Sequence, residues 1–370
     1  MLSHLRLTPE QALGRKYPEP PHSYRNDYQR DRDRIIHSRA FRRLEGKTQV
    51  FAAGLSDHFR NRLTHTLEVS QVARTVASAL QLNEEFTETL ALAHDIGHPP
   101  FAHAGEDELD RRMRAFEERF EHNLHSLRLV DHLEQRYARF DGLNLTFEVR
   151  EGIVKHSREI EPGDDLALEE FLPGLRPPLE AQLLDIADEI AYNTADLDDA
   201  YSIGLITADD ISENVPYFAA RLEEAETMFP GATPRLQFNE VQRAIINELV
   251  GGFIRGTIEA VEAAGVHSVH DVRHAPKRLA ALTDSSAGLN RQLKTLLTRC
   301  VYQSPDLVEE RRSAATKINQ LFDWLMLHPE HISSGFRESL DQAPLHRVVC
   351  DYIAGMTDSF FLRTYAALAS

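Results

Sequence analysis

Cysteine is scarce: only Cys300 and Cys350 occur in 370 residues, which excludes a disulfide framework as the organising device. No apolar run approaches the roughly 20 residues needed to cross a bilayer, and the N-terminus lacks the apolar core of a signal peptide. The expectation is therefore a cytoplasmic protein with no membrane contact, and the sequon Asn144-Leu145-Thr146 is then chance. Strong period-two alternation is missing, as are internal repeats and low-complexity tracts. Two catalytic signatures are missing too, the Gly-x-Ser-x-Gly elbow and the Gly-x-Gly-x-x-Gly turn. Gly46-Lys47-Thr48 matches the end of a phosphate-binding loop, but that loop needs a glycine where Phe41 stands.

Positive charge is also in deficit. The net charge is −17, which argues against broad binding to nucleic acid or to an anionic membrane. The deficit is uneven. Residues 1–62 hold 13 Lys/Arg and 7 Asp/Glu, a balance of +6, so the remainder carries −23. A local basic segment in an acidic protein suits a small anionic ligand such as a nucleotide; a solvated basic arm has the same composition.

Helical patterning is abundant. In 62–82, Leu63, Leu67, Val69, Val72, Val76 and Leu80 fall at mostly three- and four-residue steps. Further helices are expected over 84–94 after an Asn83 cap, 104–116, 123–139, 177–202, 237–264 up to Gly265, 288–302, 305–327 and 344–369. The acid-, Pro- and Gly-rich stretch 157–176 reads as a loop, and 228–236 as a softer break. The expected fold class is all-α.

Histidine is concentrated: eight of 18 lie between residues 65 and 156. The stretch "ALAHDIGHPPFAHAGE" (91–106) runs an apolar helix into His94, Asp95, His98, His103 and Glu106. A zincin helix is excluded, because Gly97 and Pro99 would break the helix that must align both histidines. Farther on, Asp185, Asp188, Tyr192, Asp196 and Asp199 share one helical face. An exposed acidic face would look the same. Two neutral imidazoles with two carboxylates, however, form a neutral site for a divalent ion such as Mn²⁺, Fe²⁺, Zn²⁺ or, less well, Mg²⁺. Adjacent His94 and Asp95 can reach one ion only where their helix ends.

His65, His94-Asp95 and Asp188 match the H…HD…D signature of the HD-domain metal-dependent phosphohydrolases. The surrounding blocks are more specific. "RDRDRIIHSRAFRRLEGKTQVF" (30–51), "RNRLTHTLEVSQVAR" (60–74), "ALAHDIGHPPFAHAGE" (91–106), "FEHNLHSLRLV" (120–130) and "DIADEIAYNTADLDDA" (185–200) resemble, in order, the deoxyguanosine triphosphate triphosphohydrolase family. The likeness covers about 25–205; beyond it only a generic helical tail is legible.

The resemblance implies an HD-domain helical core with an additional C-terminal helical region. It also implies hydrolysis of a deoxynucleoside triphosphate (dNTP) at the α-phosphorus, giving deoxynucleoside and inorganic triphosphate. His65, His94, Asp95 and Asp188 would hold the metal, Mn²⁺ or Mg²⁺ first, Fe²⁺ or Zn²⁺ also compatible. His103 and Glu106 would handle the proton, Glu106 orienting His103. His98, His122 and Arg62 would meet the phosphates, with Arg43 and Lys47 as further candidates. Gln49 and Asp196 would hold the sugar 3′-hydroxyl, Tyr192 would pack on the deoxyribose, and Val50 would line that pocket. Asp185 or Asp199 is then left to solvent. A homo-oligomer and a nucleotide activator are further implications. The chain would divide into a basic segment (1–59) contributing to the site, an HD domain (60–205) and a C-terminal helical region (206–370). Rival expectations are an HD-type phosphodiesterase or 5′-nucleotidase, which shares the metal ligands but not the sugar-reading Gln49, Tyr192 and Asp196, and a non-catalytic nucleotide-sensing module.

Overall fold

A computed structural model describes residues 1–50, 59–337 and 343–369. The described residues are overwhelmingly helical, with isolated β-bridges in place of strands, so the fold is all-α. In chain order the helices are α1 (Asp27–Ile36), α2 (Arg39–Arg43), α3 (Arg62–Leu80), α4 (Glu84–Ala93), α5 (Ala102–Arg114), α6 (His122–Arg128), α7 (Phe147–Val154) and α8 (Leu179–Ser202). They continue with α9 (Ala208–Asn214), α10 (Pro216–Met228), α11 (Pro234–Ala264), α12 (Val269–Arg273), α13 (Asp284–Leu297), α14 (Pro305–Leu327), α15 (Ser334–Arg337), α16 (Leu345–Ala354) and α17 (Asp358–Ala366). No helix among the described residues is long and apolar enough to cross a membrane.

The chain forms two compact units, each assembled from three separated segments. One comprises Met1–Gly14, Leu67–Ala91 and Phe147–Ser304; the other comprises Arg15–Thr66, Leu92–Thr146 and Pro305–Ser370.

The first unit is built on α8, against which α11 and α13 pack. Leu183, Leu184, Ala187 and Ile190 of α8 and Ile245, Leu249 and Phe253 of α11 are fully buried. Burying such a side chain contributes roughly 1.5–3 kcal/mol. Pro178 precedes α8 as its N-cap, and Gly265 ends α11 in the left-handed region at φ +63°, where a residue without Cβ carries no strain. Asn193 donates to Asn290 (2.8 Å) and Gln242 to the Thr194 carbonyl (3.1 Å), fixing α8 against α13 and α11.

In the second unit α5, α14, α16 and α17 share a core of Leu109, Met113, Ile318, Phe322, Val349 and Phe361. Charged groups are buried here too: Arg15 pairs with Asp31, which also accepts the Thr146 N–H (2.8 Å).

The sequence pattern and the structure differ at several elements. Helix 123–139 stops early. After α6 and a π turn (Leu129–Leu133), Glu134 turns away and accepts the Ala40 N–H at 2.7 Å. Helix 344–369 is two helices, because Thr357 caps a new one through the Phe360 N–H. α1, α7 and α10 were not legible as helices. α7 buries every residue after Phe147, including Glu148, Arg150 and Glu151, so it shows no amphipathic period.

Candidate functional site

In the second unit, the segment before α3 bridges back to the basic block. Arg62 N donates to the Lys47 carbonyl (3.1 Å), and Thr48 pairs with Asn61. Asn61 accepts the Thr64 N–H (2.9 Å) and starts the helix. Arg62 and His65 then lie one turn apart. α4 ends at Ala93, and His94 to Gly97 form a turn; this is the helix ending that lets both His94 and Asp95 face one place.

The His65 and His94 rings meet edge to face, with centroids 5.8 Å apart, and Asp95 Oδ1 lies 3.6 Å from His94 Nε2. All three side chains are buried. Asp95 Oδ2 accepts from the Arg62 guanidinium at 2.7 Å, and Asp95 Oδ1 lies 3.3 Å from His98 Nε2. Arg62, expected among the phosphate groups, is here the buried partner that fixes Asp95. Two buried imidazoles beside a carboxylate are the donor chemistry a divalent transition ion selects, so this set fits a metal.

The turn is held from beneath. Gly97 N donates to Ser126 Oγ (3.0 Å), and His125 Nδ1 donates to the Gly97 carbonyl (2.9 Å). A Cβ on Gly97 would lie 2.2 Å from the His122 carbonyl and 2.4 Å from Ser126 N. Gly97→Ala is therefore expected to force α6 off the turn and to cost at least about 1–3 kcal/mol, as overpacking does. Thermal melts against the wild type check this, and an unchanged midpoint would contradict it. Lys47 is buried, and its ammonium donates to the His98 and Ala354 (3.0 Å) carbonyls. Burial, together with Arg43 and Arg62 nearby, lowers it to about 7. This placement favours a scaffolding role for Lys47. Arg43 is half-buried on α2, its own basicity lowered by burial.

The chain reaches α5 through a strained corner. Phe101 and Ala102 have φ of +62° and +54°, and such non-glycine positions cost on the order of 1–3 kcal/mol each. Gly105 is required one turn later, since a Cβ there would sit 2.0 Å from the Pro100 carbonyl. His103 and Glu106 share the α5 face beyond this corner.

Glu106 is the hub of a three-histidine cluster. Its Oε1 accepts both the backbone N–H and Nδ1 of His122 at 2.8 Å. Its Oε2 lies 3.6 Å from His103 Nδ1 and 3.9 Å from His98 Nδ1. The His98 and His122 rings stack at 3.8 Å. Burial alone would raise the Glu106 carboxyl; hydrogen bonds from His103 and His122 outweigh it and hold the group well below the usual carboxylate range. Burial and the positive field of Arg62 lower His98 well below the usual imidazole range. The His103 side chain is 78% exposed, so the half-buried Glu106 carboxylate has a solvent-facing imidazole beside it. The tighter partner of Glu106 is His122; the expected His103 pairing is the looser one.

Gln49 and Val50 are half-buried just after Thr48. The Gln49 Oε1 is buried without a hydrogen-bond partner among the described residues.

In the first unit, Asp188, Tyr192 and Asp196 follow each other on α8. A cavity of about 590 Å³ is lined by Asp188 and Tyr192 with Asp185, Arg158, Arg278 and Lys294. His156, just beyond α7, has Nδ1 2.7 Å from Asp185 Oδ1 and Nε2 3.7 Å from Asp188 Oδ2. Burial lowers His156, but Asp185 and Asp188 overcome that and raise it to about 10. Asp185 also accepts from Ser157 N (2.8 Å) and Arg278. The expectation that Asp185 or Asp199 is left to solvent is corrected: Asp185 is clamped between two cations, and Asp199 is buried. Tyr302 donates to Asp196 Oδ2 and stacks on Tyr192 with centroids 5.9 Å apart. Burial pushes the Tyr192 phenol up to about 12.

Sequence reasoning missed His156, Asp185 and Tyr302 as organising residues. Asp185 stood in the carboxylate stripe and His156 in the histidine cluster; nothing local marked Tyr302.

Comparison with known proteins fits this geometry. The HD domain family matches residues 62–193, and the Phosphohydrolase-associated domain matches residues 280–367, where the sequence showed only a generic helical tail. Three curated relatives are deoxyguanosinetriphosphate triphosphohydrolase-like proteins. The one from Ralstonia nicotianae is 46% identical over 357 residues, covering 96% of this chain and 91% of the relative. That from Geobacter sulfurreducens is 43% identical, covering 96% and 92%. That from Thiobacillus denitrificans is 46% identical over 362 residues, covering 96% and 94%. HD domains are metal-dependent phosphohydrolase domains, and the buried His65, His94 and Asp95 suit that chemistry. The chain belongs to the deoxyguanosinetriphosphate triphosphohydrolase-like family of HD-domain phosphohydrolases.

Proposed function

We propose that the protein hydrolyses a deoxynucleoside triphosphate at the α-phosphorus, releasing the deoxynucleoside and inorganic triphosphate. The observation that carries this over other HD chemistry lies on α8. Tyr192 and Asp196, fixed by Tyr302, stand one and two turns beyond Asp188. The family resemblance assigns this pair to the sugar, and the rival phosphodiesterase and 5′-nucleotidase readings share the metal ligands but not the pair.

His65, His94, Asp95 and Asp188 would hold one divalent ion, Mn²⁺ or Mg²⁺ before Fe²⁺ or Zn²⁺. Such an ion supplies Lewis-acid stabilisation of charge developing on the phosphoryl group. Water attacks the α-phosphorus and the bond to the 5′-oxygen breaks. His103 delivers a proton to the departing 5′-oxygen, and Glu106 orients it and offsets its charge. His98, His122, Arg62 and Arg43 face the triphosphate, which Arg62 reaches from its place beside Asp95. Gln49 and Asp196 hold the 3′-hydroxyl, the Gln49 Oε1, which has no partner among the described residues, supplying an acceptor. Tyr192 packs on C2′ and excludes a ribose 2′-hydroxyl; Val50 lines the same pocket. The basic segment 1–59 thus supplies sugar and phosphate contacts, 60–205 the metal and proton chemistry, and 206–370 the support. A homo-oligomer in the cytoplasm, with nucleotide as activator, completes the proposal.

Incubation with each dNTP, singly and in mixtures, with Mg²⁺ and Mn²⁺, tests it by separation of products. Free triphosphate is expected. Pyrophosphate or orthophosphate with a nucleotide would favour the rival HD chemistries, and no turnover in any mixture would favour a sensor. Tyr192→Ala is expected to narrow the preference for dNTP over rNTP by about tenfold or more, the scale of a steric pocket contact. Competition between the two substrates measures it, and an unchanged ratio would remove Tyr192 from sugar selection.

A further inference from the structure

We propose that Asp358 is a positioning residue whose carboxylate holds the Gln49 segment and the corner beginning α5 to one support, setting the sugar-reading and proton-handling groups together.

Asp358 opens α17, directly after the Thr357 cap that separates α17 from α16. Both of its oxygens are spent on backbone outside its own helix. Oδ2 accepts the Thr48 N–H (2.8 Å) and the Thr48 hydroxyl (2.5 Å); Oδ1 accepts the Phe101 N–H (3.1 Å). Thr48 immediately precedes Gln49. Phe101 is the first left-handed residue of the corner that leads to His103 and Glu106. The tie between Phe101 and α17 recurs in apolar form. The Phe101 ring meets Phe361, one turn along α17, edge to face at 5.0 Å. Lys47 adds a parallel tie, from the His98 carbonyl to that of Ala354 at the end of α16. Gly46 approaches Thr357 so closely that a Cβ there would lie 2.9 Å from its methyl group.

A corner of two consecutive left-handed non-glycine residues persists only where its surroundings impose it. Asp358 and Phe361 are that imposition. A single carboxylate bridging two segments 53 residues apart in sequence, Thr48 and Phe101, also couples them: displacement of one moves the acceptor of the other. Neither Thr48 nor Asp358 touches a reacting atom in the proposed chemistry, so the effect acts through position alone. What the clamp does to catalysis rests on the functional proposal above; the clamp itself does not.

The test compares wild type, Asp358→Asn and Asp358→Ala as full-length proteins. Hydrogen exchange is followed by mass spectrometry on peptides spanning 44–50 and 96–103, and kcat and KM for a dNTP are measured on the same preparations. In Asp358→Ala both peptides should exchange about tenfold faster or more, the scale of a lost charge-assisted hydrogen bond, while peptides from α8 and α11 keep wild-type rates. kcat should fall and KM rise together, and Asp358→Asn, with one acceptor oxygen left, should recover part of both. Wild-type exchange in the two peptides, or uniform acceleration across all peptides, would overturn the proposal. A wild type that exchanges as expected but releases no triphosphate would instead overturn the functional proposal and leave the clamp standing.

Discussion

Glu106→Ala and His103→Ala are each expected to lower kcat by about 10²–10⁴-fold, the range of a positioned general acid or base, with metal content unchanged. The expectation follows from how the pair is built. Glu106 is a half-buried anion that hydrogen bonds hold charged, and His103 is its solvent-facing neighbour at 3.6 Å. Removing Glu106 leaves His103 without the carboxylate that orients it, and leaves two His122 donors without their acceptor. Glu106→Ala should therefore also lower the melting temperature, which His103→Ala should not, because His103 is exposed. Groups that act as a unit are strongly non-additive, so the double variant should be scarcely slower than the worse single one. Steady-state kinetics with elemental analysis on the same samples checks each point. Near-wild-type rates in both single variants would refute the proton-handling roles.

Asp188→Ala is expected to remove the metal and abolish measurable turnover. Its carboxylate is the only proposed ligand contributed by α8, and His156 orients it from behind at 3.7 Å. Its loss should exceed the roughly 10–100-fold fall in affinity typical of a lost outer partner. His156→Ala, which removes only such a partner, should fall within that range. Titration calorimetry with Mn²⁺ separates the two cases. Equal affinities for Asp188→Ala and wild type would count against the ligand set, whatever the activity.

The histidine-rich turn was legible because its chemistry is local. Gly97 and Pro99 announce a helix end, and an end is what His94 and adjacent Asp95 require. α8 was legible for a similar reason: its carboxylates from Asp185 to Asp199 keep a helical period over about four turns. α7 was not, since burial on all sides erases the period. Partners set by distant contacts were equally hidden. Nothing in "HSREIEPG" shows that His156 meets Asp185 and Asp188, and nothing near Asp358 shows that it caps the Phe101 corner. Arg62 illustrates the limit most directly. The family resemblance implies a phosphate role for it, and nothing in its local sequence shows its short contact to Asp95. Residue type and local period were readable; the choice between partners belonged to the tertiary fold.

The most direct test of the central claim is turnover of a dNTP in ¹⁸O-labelled water, with the products resolved by mass spectrometry. Water attack at the α-phosphorus predicts inorganic triphosphate carrying one ¹⁸O at a terminal phosphorus, and a deoxynucleoside whose 5′-hydroxyl is unlabelled. Label in the deoxynucleoside, or its appearance in pyrophosphate or orthophosphate, would contradict it.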